Sequence, residues 1–192
     1  MKRTHAMNDP FAILSMQTLF PDTIVLHHTA NDSPKHQLLS VDAFHKSRGY
    51  GKGSKGFHVG YHRLLEKDGT IQATREYTEM GIHAKNHNNH CIGVCLAGDF
   101  TKEQPTEEQK KALRRVVQEI MSLFPIPEKS IILHRQIVHT ACPGIDLREF
   151  LKAPVQNEKS IEKAIERLQK SGGSSIRVHA LQRLLRWLKG TA

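Results

Sequence analysis

The chain has 192 residues, 38% of them hydrophobic and 24% charged, the make-up of one globular domain with room for a small appendage. No run of eighteen apolar residues occurs, which excludes a membrane-spanning helix of ordinary length. Lys and Arg outnumber Asp and Glu by 28 to 19, for a net charge of +9 and a pI near 9.6. Such a surface suits polyanionic partners. No zinc-finger spacing, helix-turn-helix signature or aromatic-interleaved basic strand accompanies the charge, so no nucleic acid is expected among them.

Residues 1–22 begin with MKR and carry a short apolar stretch broken by Ser15, Gln17 and Thr18. No small-residue cleavage pattern follows, so the stretch reads as an N-terminal extension and not as a signal peptide. TIVLHH at 23–28 has the β-branched, apolar content of a buried strand. Alternation sends His27 and His28 to opposite faces, so only one of them can serve a given site. Ser40 is the expected N-cap of a short helix through FHKSRG, ended by Gly49. YHRLLEKDGTIQATR reads as a β-hairpin turning at Lys67-Asp68-Gly69. CIGVCL has small and apolar residues on both faces, as expected of a central strand covered on both sides.

The clearest helix spans 106–124. Thr106 and Gln109 form a capping box, and Leu113, Val116, Val117, Ile120, Met121 and Phe124 form one apolar stripe. Pro125 and Pro127 stop it. Strand IILH, a loop from His134 to Cys142 and a short helix from about Asp146 to Ala153 follow. Strands separated by helices, plus a hairpin, predict an α/β domain over 23–154 with a mixed central sheet flanked by helices. Beyond Pro154, residues 155–192 form a basic helical extension. Two helical patterns, 158–170 and 175–189, are joined there by Ser171-Gly172-Gly173-Ser174.

Three cysteines are too few for a disulfide framework. Cys91 and Cys95 share a strand face with their Cα atoms about 13 Å apart, beyond disulfide reach, and read as small core residues. Cys142 is different. Like His27 and His134, it stands where an apolar strand has given way to a polar loop. Two imidazoles and one thiolate, with a fourth position left open, are the ligand pattern of catalytic zinc, whereas structural zinc is closed by four protein ligands.

Five segments stand in an order that can be recognised: VLHHTA at 25–30, FHKSRGYG at 44–51, HVGYHRLLEKDGTI at 58–71, GIHAKNHNNHCIGVCLAG at 81–98 and LHRQIVHTACPGIDL at 133–147. Together they resemble the zinc-dependent N-acetylmuramoyl-L-alanine amidases of the type-2 amidase and peptidoglycan-recognition-protein superfamily, the phage lysozyme-type amidases above all. The resemblance covers roughly residues 20 to 153. It implies a Zn2+ cofactor held by His27, His134 and Cys142, with the eight-residue step from His134 to Cys142 matching the family's spacing. It further implies hydrolysis of the amide between N-acetylmuramic acid and the L-alanine of the stem peptide. Tyr61 matches a tyrosine lining the site near the metal-bound water, and its hydroxyl is suited to stabilising the oxyanion. Thr140 departs from the lysine that phage relatives commonly place there to meet the oxyanion; threonine stands there in other branches, including peptidoglycan-recognition proteins that retain activity, and its weaker, neutral hydrogen bond implies retained but reduced turnover. His83 and Asn88 match positions lining the muropeptide groove. The small residue and asparagine usual before IGVCL are here His90 and Cys91, a change that bears on substrate preference. Lys85 has two readings, a contact to a stem-peptide carboxylate or a solvated loop residue.

The resemblance places the chain among phage or prophage endolysins, made in the cytoplasm and reaching the cell wall by a holin or similar route. The alternative reading is a muropeptide-binding protein without catalysis; such receptors commonly lack the cysteine ligand that is present here. In the tail, Val178, Leu181, Leu184, Leu185 and Leu188 line one arc of a helix opposite Arg183, Arg186 and Lys189. That basic amphipathic pattern fits either docking on the domain or a dimer partner, or contact with an anionic membrane or lipopolysaccharide. The oligomeric state is open.

Overall fold

A computed structural model describes residues 19–151, 156–171 and 175–189 of the chain. The N-terminal extension up to residue 18, the expected domain boundary at Pro154 and the joint at 172–174 lie outside the described residues. Five strands form one mixed sheet: β1 (Thr23–His28), β2 (Arg63–Leu65), β3 (Ile71–Ala73), β4 (Cys91–Leu96) and β5 (Ile131–Leu133). Their spatial order is β3-β2-β4-β1-β5. β2 and β3 pair antiparallel, and every other pairing is parallel. The mixed sheet flanked by helices is the fold expected from the alternation of strand and helix patterns.

The two faces of the sheet do different work. Ile24 and Leu26 of β1, Leu65 of β2 and Ile92, Val94 and Leu96 of β4 pack against Leu113, Val116, Val117 and Ile120 of α2 (Glu107–Leu123). This layer is the main core, and each fully buried Leu or Ile in it contributes roughly 1.5–3 kcal/mol. Thr106 caps α2 as expected: its hydroxyl accepts the Gln109 N–H at 3.0 Å and the Gln109 side chain accepts the Thr106 N–H at 3.2 Å. On the opposite face β4 presents Cys91, Gly93 and Cys95, all small, and this is the face on which His27 lies. The free thiols of Cys91 and Cys95 are buried, as core residues.

The start of α1 (Leu38–Ser47) differs from expectation. The helix begins two residues before Ser40 and has Gln37 at its N-cap. Its free amides are taken by a side chain from another element: the Glu66 carboxylate accepts from the N–H groups of Gln37 and Leu38 at 2.8 and 2.9 Å. A carboxylate at a helix N-terminus satisfies the same orphan donors as a local cap and complements the helix dipole. Ser40 lies inside the first turn, where its hydroxyl donates to the Gln37 carbonyl. The hairpin turns at Gly69, whose φ of +84° is left-handed. The helix expected after Asp146 is shorter than read, one 3₁₀ turn over Leu147–Phe150 capped by Asp146.

Two further helices, α3 (Gln156–Lys170) and α4 (Ser175–Lys189), pack against each other, and α4 lies on α2. Ile165 and Val178 are buried there, while Arg183 and Arg186 remain exposed.

Candidate metal centre

The chain leaving β1 runs toward the β2 side of the sheet while β5 flanks the other side of β1. β1 and β5 are parallel neighbours, so their carboxyl ends share one edge of the sheet, the edge at which open α/β sheets hold their ligands. His27 is the penultimate residue of β1, and His134 directly follows β5. The chain turns sharply after β5 because the Gln136 side chain accepts the Leu133 N–H at 2.7 Å. The loop then closes on itself, the Arg135 N–H donating to the Cys142 carbonyl at 2.9 Å.

This brings the ligand atoms of His27, His134 and Cys142 within 4.8 Å of one another. The Cys142 Sγ is 3.9 Å from Nδ1 of His27. Ordinary zinc–sulfur and zinc–nitrogen bond lengths at a tetrahedral angle put such a pair about 3.6 Å apart, so one ion can bridge them with little movement. The donor set fits a borderline-soft cation. Burial and the neighbouring imidazoles hold His27 well below the ordinary histidine range, and burial lowers His134 as well. Both rings are therefore neutral at pH 7, with a lone pair to give. Burial pushes the Cys142 thiol up to about 11, against the pull of the His28 N–H 3.3 Å from Sγ. Without a cation the sulfur is a thiol; metal binding must displace its proton.

His28 takes no part in this group. Its ring faces the other way, accepts the Phe100 N–H on Nδ1 at 3.1 Å and lies 3.9 Å from Asp99. Tyr61 does border the site. It is half-buried, with its ring 5.1 Å from that of His27 and 5.5 Å from that of His45. Burial, reinforced by Cys95 and Cys142, holds its hydroxyl well above the ordinary tyrosine range, so it is a proton-bearing donor at neutral pH. The Thr140 hydroxyl accepts the Cys142 N–H at 3.2 Å, tying that side chain to the backbone of Cys142.

His83 stands directly against His27. It is 9% exposed, and its ring stands edge-on behind His27 with Nδ1 3.1 Å from Nε2 of His27. Asn88 is half-buried and its Oδ1 accepts the N–H groups of His83 and Ala84 at 2.9 and 2.8 Å. It holds the backbone that carries His83. Lys85 is exposed.

Three residues that shape the site had no separate signal in the sequence. His45, on α1, accepts the Gly60 N–H and stacks on Tyr50, forming the wall behind Tyr61. Gly93 supplies the floor: a Cβ there would stand 2.7 Å from Cγ and Cδ2 of His83. Arg75, 4% exposed, reaches the carbonyls of Val59 and Gly51 and the carboxylate of Glu79, fastening the segments that carry Tyr61 and His83. A glycine periodicity or a buried arginine gives no local cue; only a family alignment would have marked them.

The sequence profile of the family described as N-acetylmuramoyl-L-alanine amidase matches residues 17–145. Among curated relatives, the endolysin of Enterobacteria phage K11 is 34% identical over 121 residues, which cover 60% of this chain and 74% of that protein. The endolysin of Escherichia phage T7 is 28% identical over 136 residues, 67% of this chain and 84% of that protein. Among solved structures, the N-acetylmuramoyl-L-alanine amidase LysC from Clostridium intestinale superposes with a TM-score of 0.60 at 29% identity, covering 69% of this chain and 83% of that one. The matched segment contains His27, His134 and Cys142 together with the strands that carry them, and the chain belongs to the N-acetylmuramoyl-L-alanine amidase family.

Proposed function

We propose that the chain hydrolyses the amide between N-acetylmuramic acid and the L-alanine of the peptidoglycan stem as a phage-type endolysin, with one Zn2+ held by His27, His134 and Cys142. The convergence of these three donor atoms at the carboxyl edge of the parallel strands, inside the family-matched segment, carries the reading. Zinc in such a site is a Lewis acid toward the scissile carbonyl and brings the pKa of a coordinated water to about 7.

The chain's own residues do the rest. His27 and His134 enter as neutral donors, and Cys142 gives up its proton on metal binding. Tyr61, kept protonated by burial, donates toward the charge that develops on the carbonyl oxygen. Thr140 steadies the Cys142 backbone through the Cys142 N–H and has a hydroxyl hydrogen to offer the same oxygen. His45 and Tyr50 back the Tyr61 ring and limit its motion.

The test is mass spectrometry of purified peptidoglycan after incubation with the protein. Stem peptides with a free N-terminal alanine, lost on chelation and restored by zinc, are expected. Intact glycan-linked peptides from a folded, zinc-loaded protein would point to muropeptide binding without catalysis.

The substrate lies in the cell wall, and no described helix is long and apolar enough to cross a membrane; delivery to the wall is assigned to a separate holin-like route. The exposed Arg183 and Arg186 are assigned electrostatic contact with the anionic envelope surface. Loss of binding to anionic vesicles on charge reversal of both residues is the expected result, and unchanged binding would remove that role.

A further inference from the structure

The ring of His83 makes two contacts that together fix where one proton sits. Its Nε2 is 3.4 Å from the Cys91 carbonyl oxygen, and its Nδ1 is 3.1 Å from Nε2 of His27. A carbonyl oxygen only accepts hydrogen bonds, so Nε2 of His83 carries its proton and Nδ1 presents a lone pair. Facing that lone pair, Nε2 of His27 must be the donor. Nδ1 of His27 is then left unprotonated, and it is the atom 3.9 Å from Cys142 Sγ. The reverse arrangement would set a lone pair of His83 against the carbonyl and put a hydrogen on the nitrogen that faces the thiol.

The surroundings are built to hold this ring. Gly93 leaves the space its Cγ and Cδ2 occupy, and a Cβ on Gly81 would lie 2.5 Å from Cδ2. His62 packs edge-on at 5.6 Å. Its own tautomer is set by the Gly93 N–H donating to Nδ1 at 2.9 Å and by Nε2 facing the Glu79 carbonyl at 2.8 Å. The His83 N–H is fixed by Asn88.

From this we infer that His83 is a positioning residue for the metal centre: it accepts the Nε2 proton of His27, orients that ring and presents Nδ1 to the ion. The inference rests on the three-ligand reading of the centre. Metal-ligating histidines ordinarily pass their second N–H to a carboxylate, a carbonyl or water; here an imidazole takes that place and hands the polarity on to the Cys91 carbonyl.

The experiment starts with the wild-type chain. Nitrogen-15 spectra of the metal-free protein at neutral pH should show His27 and His83 each protonated on Nε2 alone. A proton on Nδ1 of either ring would overturn the assignment. Zinc affinity by chelator competition is then measured for His83→Phe, which keeps a ring and removes the acceptor, and for His83→Asn, whose amide oxygen can stand where Nδ1 does. His83→Phe should bind zinc about 10- to 100-fold more weakly, and His83→Asn should recover most of the loss. Wild-type affinity in a folded His83→Phe, or equal losses in both variants, would refute the positioning role. If His83→Phe does not fold, the wild-type spectrum decides. A wild-type chain that binds no zinc would sink the metal-centre reading instead, and the metal-free spectrum tells the two failures apart.

Discussion

Gly93→Ala separates the geometry of this site from its ligand list. Gly93 lies in the middle of β4, paired with Val25 of β1, and its side-chain position points at the His83 ring. An added Cβ would stand 2.7 Å from Cγ and Cδ2 and 2.9 Å from Nδ1 of that ring. Carbon atoms pack best at about 3.5–4.0 Å, so the overlap is roughly 0.8 Å. The ring has little room to retreat, since Gly81, His62 and His27 confine it. Overpacking of this kind costs about 1–3 kcal/mol. At about 2–4 °C per kcal/mol for a chain of this size, the melting midpoint should fall by roughly 2–12 °C. Zinc affinity should fall with it, because the ring that displaces Cβ strain is the one bonded to His27. Gly51→Ala is the control: nothing lies within 4 Å of its Cβ position, and both quantities should stay near wild type. Thermal unfolding and chelator competition on the two variants read the outcome. A Gly93→Ala protein with the wild-type midpoint and zinc affinity would refute the packing argument.

Cys142→Ser should remove amidase activity and weaken zinc binding well beyond any change in the unfolding midpoint, as metal analysis and peptidoglycan digestion would show; retained zinc would exclude Cys142 as a ligand. His28→Ala is expected to do the opposite, lowering stability through the lost Phe100 N–H acceptor while leaving the stoichiometry of bound zinc unchanged. Tyr61→Phe should lower turnover with zinc affinity within a few-fold of wild type, since the hydroxyl and not the ring is removed. His62, depressed by burial to about 4 from 6.5, takes up its proton more readily unfolded than folded. Its contribution is therefore complete above pH 6.5 and is lost as pH falls toward 4, by roughly 3 kcal/mol in all. Denaturant titrations across that window should show the loss in wild type and a smaller one in His62→Gln.

Much of the layout was legible along the chain because local physics dictates it. The apolar stripe and capping box of α2 depend on residues three and four apart, and the structure has both. TIVLHH and CIGVCL carry enough β-branched and small residues to be strands whatever surrounds them, and alternation along the first separated His27 from His28. His27, His134 and Cys142 stood out because the segments around them match the motifs of a recognisable family. The cap of α1 was not legible, since Glu66 comes from beyond β2 and a carboxylate twenty-eight residues away leaves no local mark on Leu38. The place of His83 was also out of reach. Its segment reads as a polar loop suited to a groove, and only the stacking of that loop on β4 turns the ring inward.

The order of residues by itself determined the strands and the long helix, because these follow from side-chain periodicity. Tertiary structure decided which nitrogen of His27 faces the thiol, what holds it there, and why β4 must carry a glycine at 93. Those are contacts between β1, β4 and the 81–90 loop, and hydrogen-bond direction and close packing between distant segments exist only once the sheet has brought them together.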